Sequence, residues 1–167
     1  MKAHNSHQPE GNYYDKYHSS NPIVRWMMKN FFAAFTELLQ ETEAVDSILE
    51  AGCGEGEVSD FLWKYYGGSC PIDAFDRSEK VIRQAAEKNA DIRFFEGDIY
   101  DLARGGYSLV FCSEVLEHLE HPETALEKLV CAAEKYIIVS VPREPLWRVL
   151  NMLRGKYWRS LGNTPGH

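Results

Sequence analysis

Apolar residues along the chain fall into two rhythms. Short, largely apolar runs at 47–51, 71–75, 92–95, 107–112 and 136–141 are too brief for helices and rich in β-branched and aromatic residues, so they predict five strands. Between them, 58–66, 78–89 and 122–133 carry helical patterns, with Gly67 and Gly68 stopping the first and Pro122 starting the last. A shorter helix is predicted at 115–119. Upstream, Asn21 and Pro22 supply a cap and a first-turn proline, and Ile23, Met27, Phe31, Phe35 and Leu38 follow on one predicted face of a long helix ending near Glu41. Strands alternating with helices in this way imply right-handed βαβ units, hence an α/β, doubly wound, mainly parallel sheet with helices on both faces.

The first strand breaks into the turn that organises the rest. Glu50-Ala51-Gly52-Cys53-Gly54-Glu55-Gly56-Glu57 is a strand end followed by three alternating glycines, which let the backbone take positive φ and approach a ligand closely. A dinucleotide loop would read G-x-G-x-x-G and offer unpaired N–H groups to a pyrophosphate, but Glu57 stands at the third glycine's place. Glu50, Glu55 and Glu57 also gather three carboxylates with no Lys or Arg in the stretch. Such a loop suits a cationic or zwitterionic ligand better than a phosphate.

With 167 residues, 44% hydrophobic and 26% charged, the chain has material for one globular core. No apolar run reaches the roughly 18 residues of a membrane span, and residues 1–7 lack a signal-peptide core, so a cytoplasmic protein without a transmembrane segment is expected. Cys53, Cys70, Cys112 and Cys131 are too widely spaced for a C-x-x-C centre and read as reduced, buried thiols. A net charge of −7 argues against general nucleic-acid binding. That charge is uneven: from Pro142 onward stand Arg143, Arg148, Arg154, Lys156 and Arg159 against the single acid Glu144. The chain divides accordingly into a polar arm at 1–20, a domain at 21–142 and a basic, aromatic segment at 143–167 that could cover a substrate or a sheet edge.

In a doubly wound sheet the ligand sits beyond the carboxyl ends of the strands, so the residues at those ends carry the chemistry. Asp76 ends the second strand, 24 positions after Gly52, where a carboxylate can accept from both ribose hydroxyls; it reads equally well as a turn aspartate capping the following helix. Asp98, in Glu96-Gly97-Asp98-Ile99, follows the third strand, and Ser113-Glu114-Val115-Leu116-Glu117-His118 follows the fourth. Motif by motif, this resembles the class I S-adenosylmethionine-dependent methyltransferases, with an acidic residue and G-x-G-x-G, an acidic second-strand end, G-D-[IV], and S-x-V-L-E-H in that order. The resemblance spans about 45–142. It implies a Rossmann-like methyltransferase fold with strand order 3-2-1-4-5, S-adenosyl-L-methionine as cofactor and S-adenosyl-L-homocysteine as product. It also implies that Glu50, Gly52, Cys53 and Gly54 line the methionine half, that Asp76 with Arg77 holds the ribose and adenine edge, that Asp98 with Ile99 holds the adenine, and that the Ser113 backbone meets the methionine amino group.

Two departures from the family pattern stand out. Tyr107-Ser108 occupies the place of the usual F-D, and only 26 residues follow Val141 where the family adds a sixth and an antiparallel seventh strand. The sequence looks like the cofactor half of the fold. Its fifth strand is expected to be an edge, covered by residues 145–158 or by a second copy of the chain.

Methyl transfer is an in-line displacement that needs nucleophile and methyl aligned at about 3–3.5 Å, with water excluded. A small-molecule acceptor is expected. If the acceptor is a hydroxyl, His118 is the candidate catalytic base, because it follows the fourth strand and imidazole titrates near neutrality; a helix histidine with a packing role is the plainer reading. Glu114, Glu117 and His118, at i, i+3 and i+4, resemble the divalent-metal motif of small-RNA 2′-O-methyltransferases and of some quinone O-methyltransferases, but no fourth ligand is evident and no metal is expected. The alternative function is a cofactor-binding domain that is catalytically incomplete. A nucleotide-dependent oxidoreductase is disfavoured by the missing third glycine.

Overall fold

The computed structural model describes residues 19–142, so the expected arm at 1–20, all but its last two residues, and the basic segment at 143–167 lie outside the described residues. Five strands, β1 (Ile48–Ala51), β2 (Ile72–Asp76), β3 (Arg93–Glu96), β4 (Tyr107–Ser113) and β5 (Ala133–Ser140), form one sheet in the order β3-β2-β1-β4-β5. Every neighbouring pair is parallel. Helices α1 (Pro22–Gln40), α2 (Glu57–Tyr65) and α3 (Glu79–Lys88) and helix α4 (Pro122–Ala132) cover opposite faces. No helix among the described residues is long and apolar enough to cross a membrane.

Strand alternation distributes the core. Ile48 of β1 packs with Phe35 and Leu39 of α1, Leu62 of α2 and Phe111 of β4, whereas Leu49 and Ala51 pack with Val110 of β4 and with Ala125 and Leu129 of α4. Because β1 is buried on both faces, its sequence is a nearly continuous apolar run.

The buried stripe of α1 is rotated from the one expected. Val24, Phe35 and Leu39 are buried, while Ile23 and Leu38 are 60% and 48% exposed. The rings decide the rotation: Phe35 meets Phe111 edge-on at 4.8 Å, and Phe32 lies 4.9 Å from Phe61. Burying these large aromatic surfaces outweighs the aliphatic contacts of the alternative face. The cysteine expectation is also corrected, since Cys131 is exposed while Cys53, Cys70 and Cys112 are buried and free.

β5 begins directly after α4, three residues earlier than the sequence pattern indicates. Gly105 N–H donates to Cys131 O at 2.8 Å and Gly106 N–H to the Glu134 carboxylate at 3.1 Å, which tie the helix end to the start of β4. The connection from β3 to β4 contains only a 3-10 turn, Ile99–Asp101, so the α4 face keeps a cavity of about 390 Å³ lined by Leu49, Phe75, Phe95, Asp98 and Tyr107.

The two sheet edges differ. β3 is four residues long, with exposed Arg93 and Glu96, and Arg93 pairs with Asp73 at 2.7 Å. β5 pairs only with β4 among the described residues, and its central residues are apolar. Residues 145–158, one of its expected covers, lie outside the described residues.

At the amino-terminal rim, the departure at Ser108 has a structural role. Its buried hydroxyl accepts from the N–H groups of Asp46 and Ser47, each at 3.0 Å, and donates to Ser47 O at 2.9 Å. Ser108 N–H in turn donates to Ser47 Oγ at 3.0 Å. A hydroxyl thereby joins the starts of β1 and β4 without burying a charge.

Candidate functional site

The candidate site grows from the end of β1, where Gly52 takes φ +76° and turns the chain over β2. The N–H groups of Gly52 and Cys53 both donate to Phe75 O, at 2.8 and 2.9 Å. A Cβ at Gly52 would fall 2.4 Å from Cγ2 of Val115, so the segment after β4 presses against the loop and leaves no room for a side chain. Gly56 closes the turn as the left-handed N-cap of α2, and a Cβ there would lie 2.9 Å from the Ala85 Cβ of α3. Only glycine satisfies both the backbone conformation and the close approach at these two positions.

Asp76 is the junction between this loop and β2. Its Oδ2 accepts from Gly54 N–H at 3.0 Å and its Oδ1 from Ser78 N–H at 3.0 Å. The turn-aspartate role is therefore present, with a second bond that sequence reasoning did not foresee. Each oxygen, having spent one acceptor position, retains another.

The three carboxylates of the loop do not stand together. Glu57 pairs with Lys88, brought in from α3, so the absence of a cation within the stretch does not describe its surroundings. Glu50 is 2% exposed and accepts a hydrogen bond from Ser59 of α2, placing its carboxyl behind the loop rather than on an open surface. Burial pushes Glu50 up to about 8; the Ser59 bond opposes this and the Asp76 charge adds to it. Burial, with the carboxyl groups of Glu50 and Asp76 nearby, likewise holds the Cys53 thiol well above its usual range, which makes it inert rather than nucleophilic.

Arg77 and Asp98 are brought together from the ends of β2 and β3, with Arg77 Nε 3.4 Å from Asp98 Oδ2. The other oxygen of Asp98 caps the following turn by accepting from Tyr100 N–H at 3.0 Å. Ile99 is buried in the α4-face core beside Phe75 and Val110. Ser113 ends β4, with its hydroxyl 2.8 Å from that of Ser140 on β5.

Beyond Ser113 the chain departs from an α-helix. Glu114 adopts a left-handed φ of +57°, its N–H donates to Ser140 O at 3.0 Å, and the next residues form a 3-10 turn, Leu116–His118. Glu114, Glu117 and His118 therefore do not share one helical face as the spacing suggested, and among the described residues no group of three or more His, Cys, Asp or Glu side chains converges as a metal site. His118 is half-exposed, with Nε2 3.9 Å from the Glu117 carboxylate. Val115, Ser59 and Ser140 are supporting residues that the sequence reading missed. Ser59 carried a signal, standing between Val58 and Leu62 on the apolar face of α2.

The sequence profile described as the methyltransferase domain matches residues 48–134, which run from the start of β1 into β5. The chain belongs to the methyltransferase domain family. Its strand order and glycine loop are those of the class I, Rossmann-like S-adenosylmethionine-dependent methyltransferases. Magnesium protoporphyrin IX methyltransferase from Synechocystis PCC 6803, solved with bound SAH, is similar with a TM-score of 0.60 and 20% identity, covering 89% of this chain and 70% of that one. An S-adenosylmethionine-dependent methyltransferase from Mesorhizobium loti is similar with a TM-score of 0.58 and 20% identity, covering 70% of this chain and 54% of that chain. The plantazolicin methyltransferase BpumL, solved with a pentazolic desmethylPZN analog and SAH, gives a TM-score of 0.54 and 22% identity over 72% of this chain and 53% of that chain. At these identities the likeness is one of fold. Among curated proteins, an uncharacterized protein of Synechococcus sp. (strain ATCC 27144 / PCC 6301 / SAUG 1402/1) is 37% identical over 90 residues, 49% of this chain and 21% of that protein. The chain thus spans about a fifth of that curated relative and about half of the plantazolicin enzyme.

Proposed function

We propose that this methyltransferase domain binds S-adenosylmethionine across the carboxyl rim of the sheet and passes its methyl group to a small-molecule acceptor, leaving S-adenosylhomocysteine. The observation that carries the reading is the junction at Asp76, at the end of β2, where one carboxylate holds the glycine loop by Gly54 N–H and still has acceptor capacity to spare. The residues suit such a ligand. Open space beside Gly54, where a Cβ would meet nothing within 4 Å, together with the carboxyl groups of Glu50, Asp76 and Asp98, favours a cation over a phosphate.

In this reading Gly52, Cys53 and Gly54 line the methionine half with Glu50 behind them. Asp76 accepts from the ribose hydroxyls, Arg77 borders the adenine edge, and Asp98 receives the adenine amino group with Ile99 beneath it. The Ser113 backbone meets the methionine amino group. The cofactor, when bound, supplies a methyl carbon already activated by its sulfonium. The protein's own share of the chemistry is alignment and exclusion of water, and His118 takes the proton of a hydroxyl acceptor as it attacks.

Residues 21–142 constitute the cofactor-binding unit in this proposal, which acts in the cytoplasm, with 143–167 as a cover for the substrate or for β5. Calorimetric titration with S-adenosylmethionine, S-adenosylhomocysteine and NAD tests the first step. Binding of NAD alone would overturn the reading. Methyl release with a library of hydroxyl, amine and carbon acceptors then separates a turning-over enzyme from a domain that only binds.

A further inference from the structure

Glu50 is the one charged side chain that the described part of the chain buries almost completely. Its neighbours in register are Ala74 of β2 and Phe111 of β4, both in the apolar cluster that fills this face of the sheet. Its partner is the Ser59 hydroxyl, which donates to one carboxyl oxygen. The other titratable groups felt around it are Asp76 from β2, Cys53 from the loop and Cys112 from β4, so every element packed against it brings a neutral or potentially negative group. No Lys or Arg among the described residues forms an ion pair with it. A carboxylate without a counter-charge in such a place is costly, and the group holds its proton instead.

The same carboxyl lies two residues before Gly52, directly behind the loop on which the cofactor docks in the function proposed above. We propose that Glu50 is a specificity-determining residue that is neutral in the ligand-free protein and ionises when a sulfonium cation docks on the glycine loop, releasing one proton to water. The arriving cation is the counter-charge that the described residues do not supply. The thioether product shares the ammonium, which the cofactor reading assigns to the Ser113 backbone, but lacks the sulfonium, so the same ionisation is not driven when it binds. Glu50 thereby favours retention of the methylated cofactor and release of its demethylated product. The inference rests on the cofactor reading and adds to it a direction of discrimination.

The sign follows from linkage. A group that loses a proton on binding makes affinity rise with pH by up to tenfold per pH unit, until the free group itself ionises near its elevated value of about 8. Below about pH 7 the ligands' own amino groups remain largely protonated, which sets the useful window.

The test uses the full chain and needs no variant for its first arm. Titration with S-adenosylmethionine and with S-adenosylhomocysteine from about pH 5.5 to about pH 7, in two buffers of different ionisation enthalpy, counts the protons released per ligand. The expected result is close to one proton released and about tenfold tighter binding per pH unit for S-adenosylmethionine, with a flat profile for S-adenosylhomocysteine. Loss of the protonated-carboxyl infrared band on adding the first ligand, and its persistence on adding the second, reports the same event without titration. Glu50→Gln should flatten the first profile. In ligand-free protein, the native carboxyl prefers its neutral form, so stability declines as pH rises from 4.5 toward 8, and Glu50→Gln should remove that decline. Equal pH profiles for the two ligands, or no proton release, would overturn the inference while leaving the cofactor reading intact. If neither ligand binds at any pH, the cofactor reading fails first and this inference falls with it.

Discussion

The two rims of the sheet are built from the same strands to different ends. At the amino-terminal rim, Ser47 and Ser108 satisfy one another through backbone and hydroxyl bonds, and Tyr107 and Arg93 both donate to Asp73 at 2.7 Å. Donors there have acceptors, and the backbone of β1 and β4 enters in regular extended form. At the carboxyl rim the chain turns through left-handed Gly52, Gly54 and Gly56, Glu114 sits at φ +57°, and a carboxyl is buried against a single hydroxyl. Left-handed conformations at non-glycine residues and buried, weakly partnered acids cost stability, and a fold keeps them where geometry serves something other than its own cohesion. The amino rim holds the domain together. The carboxyl rim is where the proposed cofactor would dock.

Substitutions at the two rims should separate binding and turnover from stability. The largest effect is expected at His118. With a hydroxyl acceptor, His118→Ala should lower turnover by about 10²–10⁴ while cofactor affinity barely changes, as for loss of a general base. Steady-state kinetics alongside calorimetry would check it, and a turnover loss below about threefold would return His118 to a packing role.

Next comes Gly52→Ala. The left-handed backbone adds about 1–2 kcal/mol of strain for a residue with a Cβ. The overlap with Val115 adds a displacement of about 1–3 kcal/mol. Where the free loop relaxes out of this strained shape, binding has to restore it, so S-adenosylmethionine affinity should fall by up to about a hundredfold. Adding Val115→Ala should restore the part due to overlap and leave the part due to φ. An unaffected affinity in the single variant would show that the loop's shape does not matter to the guest.

Asp76→Ala should weaken cofactor binding by roughly one to two decades, the value of a hydrogen bond to a charged group at about 1.5–3 kcal/mol. The structure sharpens this experiment, because the same change also removes the acceptor for Gly54 N–H and Ser78 N–H. Asp76→Asn, which keeps one carbonyl acceptor, should fall between wild type and alanine. Should alanine bind as tightly as wild type, the ribose assignment is lost.

The contrast between the rims also marks what the sequence made legible. The alternation of strands with helices, the glycine turn and the acidic strand ends followed from local patterns, because turn chemistry and burial of β1 on both faces leave a direct trace in residue type, whereas the strand order followed only from the resemblance to the methyltransferase family. Contacts across the fold left none. That Lys88 of α3 reaches Glu57, that Val115 closes over Gly52, and that Glu114 leaves the helical face for Ser140 depend on how separate elements meet. The rotation of α1 was missed for the same reason: aliphatic spacing fits two adjacent faces, and the rings of Phe61 and Phe111, far along the chain, choose between them through Phe32 and Phe35. Ser108 was noticed as a departure from the family pattern, but its role became visible only opposite Ser47.

Ser108→Ala is the smallest expected effect on function and the sharpest test of the contrast. The hydroxyl is fully buried, accepts from the N–H groups of Asp46 and Ser47, and donates to Ser47 O. Alanine fits the space but leaves those donors without this acceptor, at a cost of about 1–3 kcal/mol. For a chain of this size that corresponds to a fall in melting temperature of about 2–4 °C per kcal/mol. Nothing at the carboxyl rim touches this hydroxyl, because β1 separates the Ser47 pairing from the turn at Gly52. Cofactor affinity measured well below the melting temperature should therefore stay within about twofold of wild type, as for sites without shared partners. Thermal unfolding with and without S-adenosylmethionine would measure both quantities on one sample: the ligand-free transition should drop, and the ligand-induced rise should match that of wild type. A reduced rise would mean that the amino rim sets the geometry of the glycine loop, and that the two rims are one mechanical unit rather than two with separate tasks.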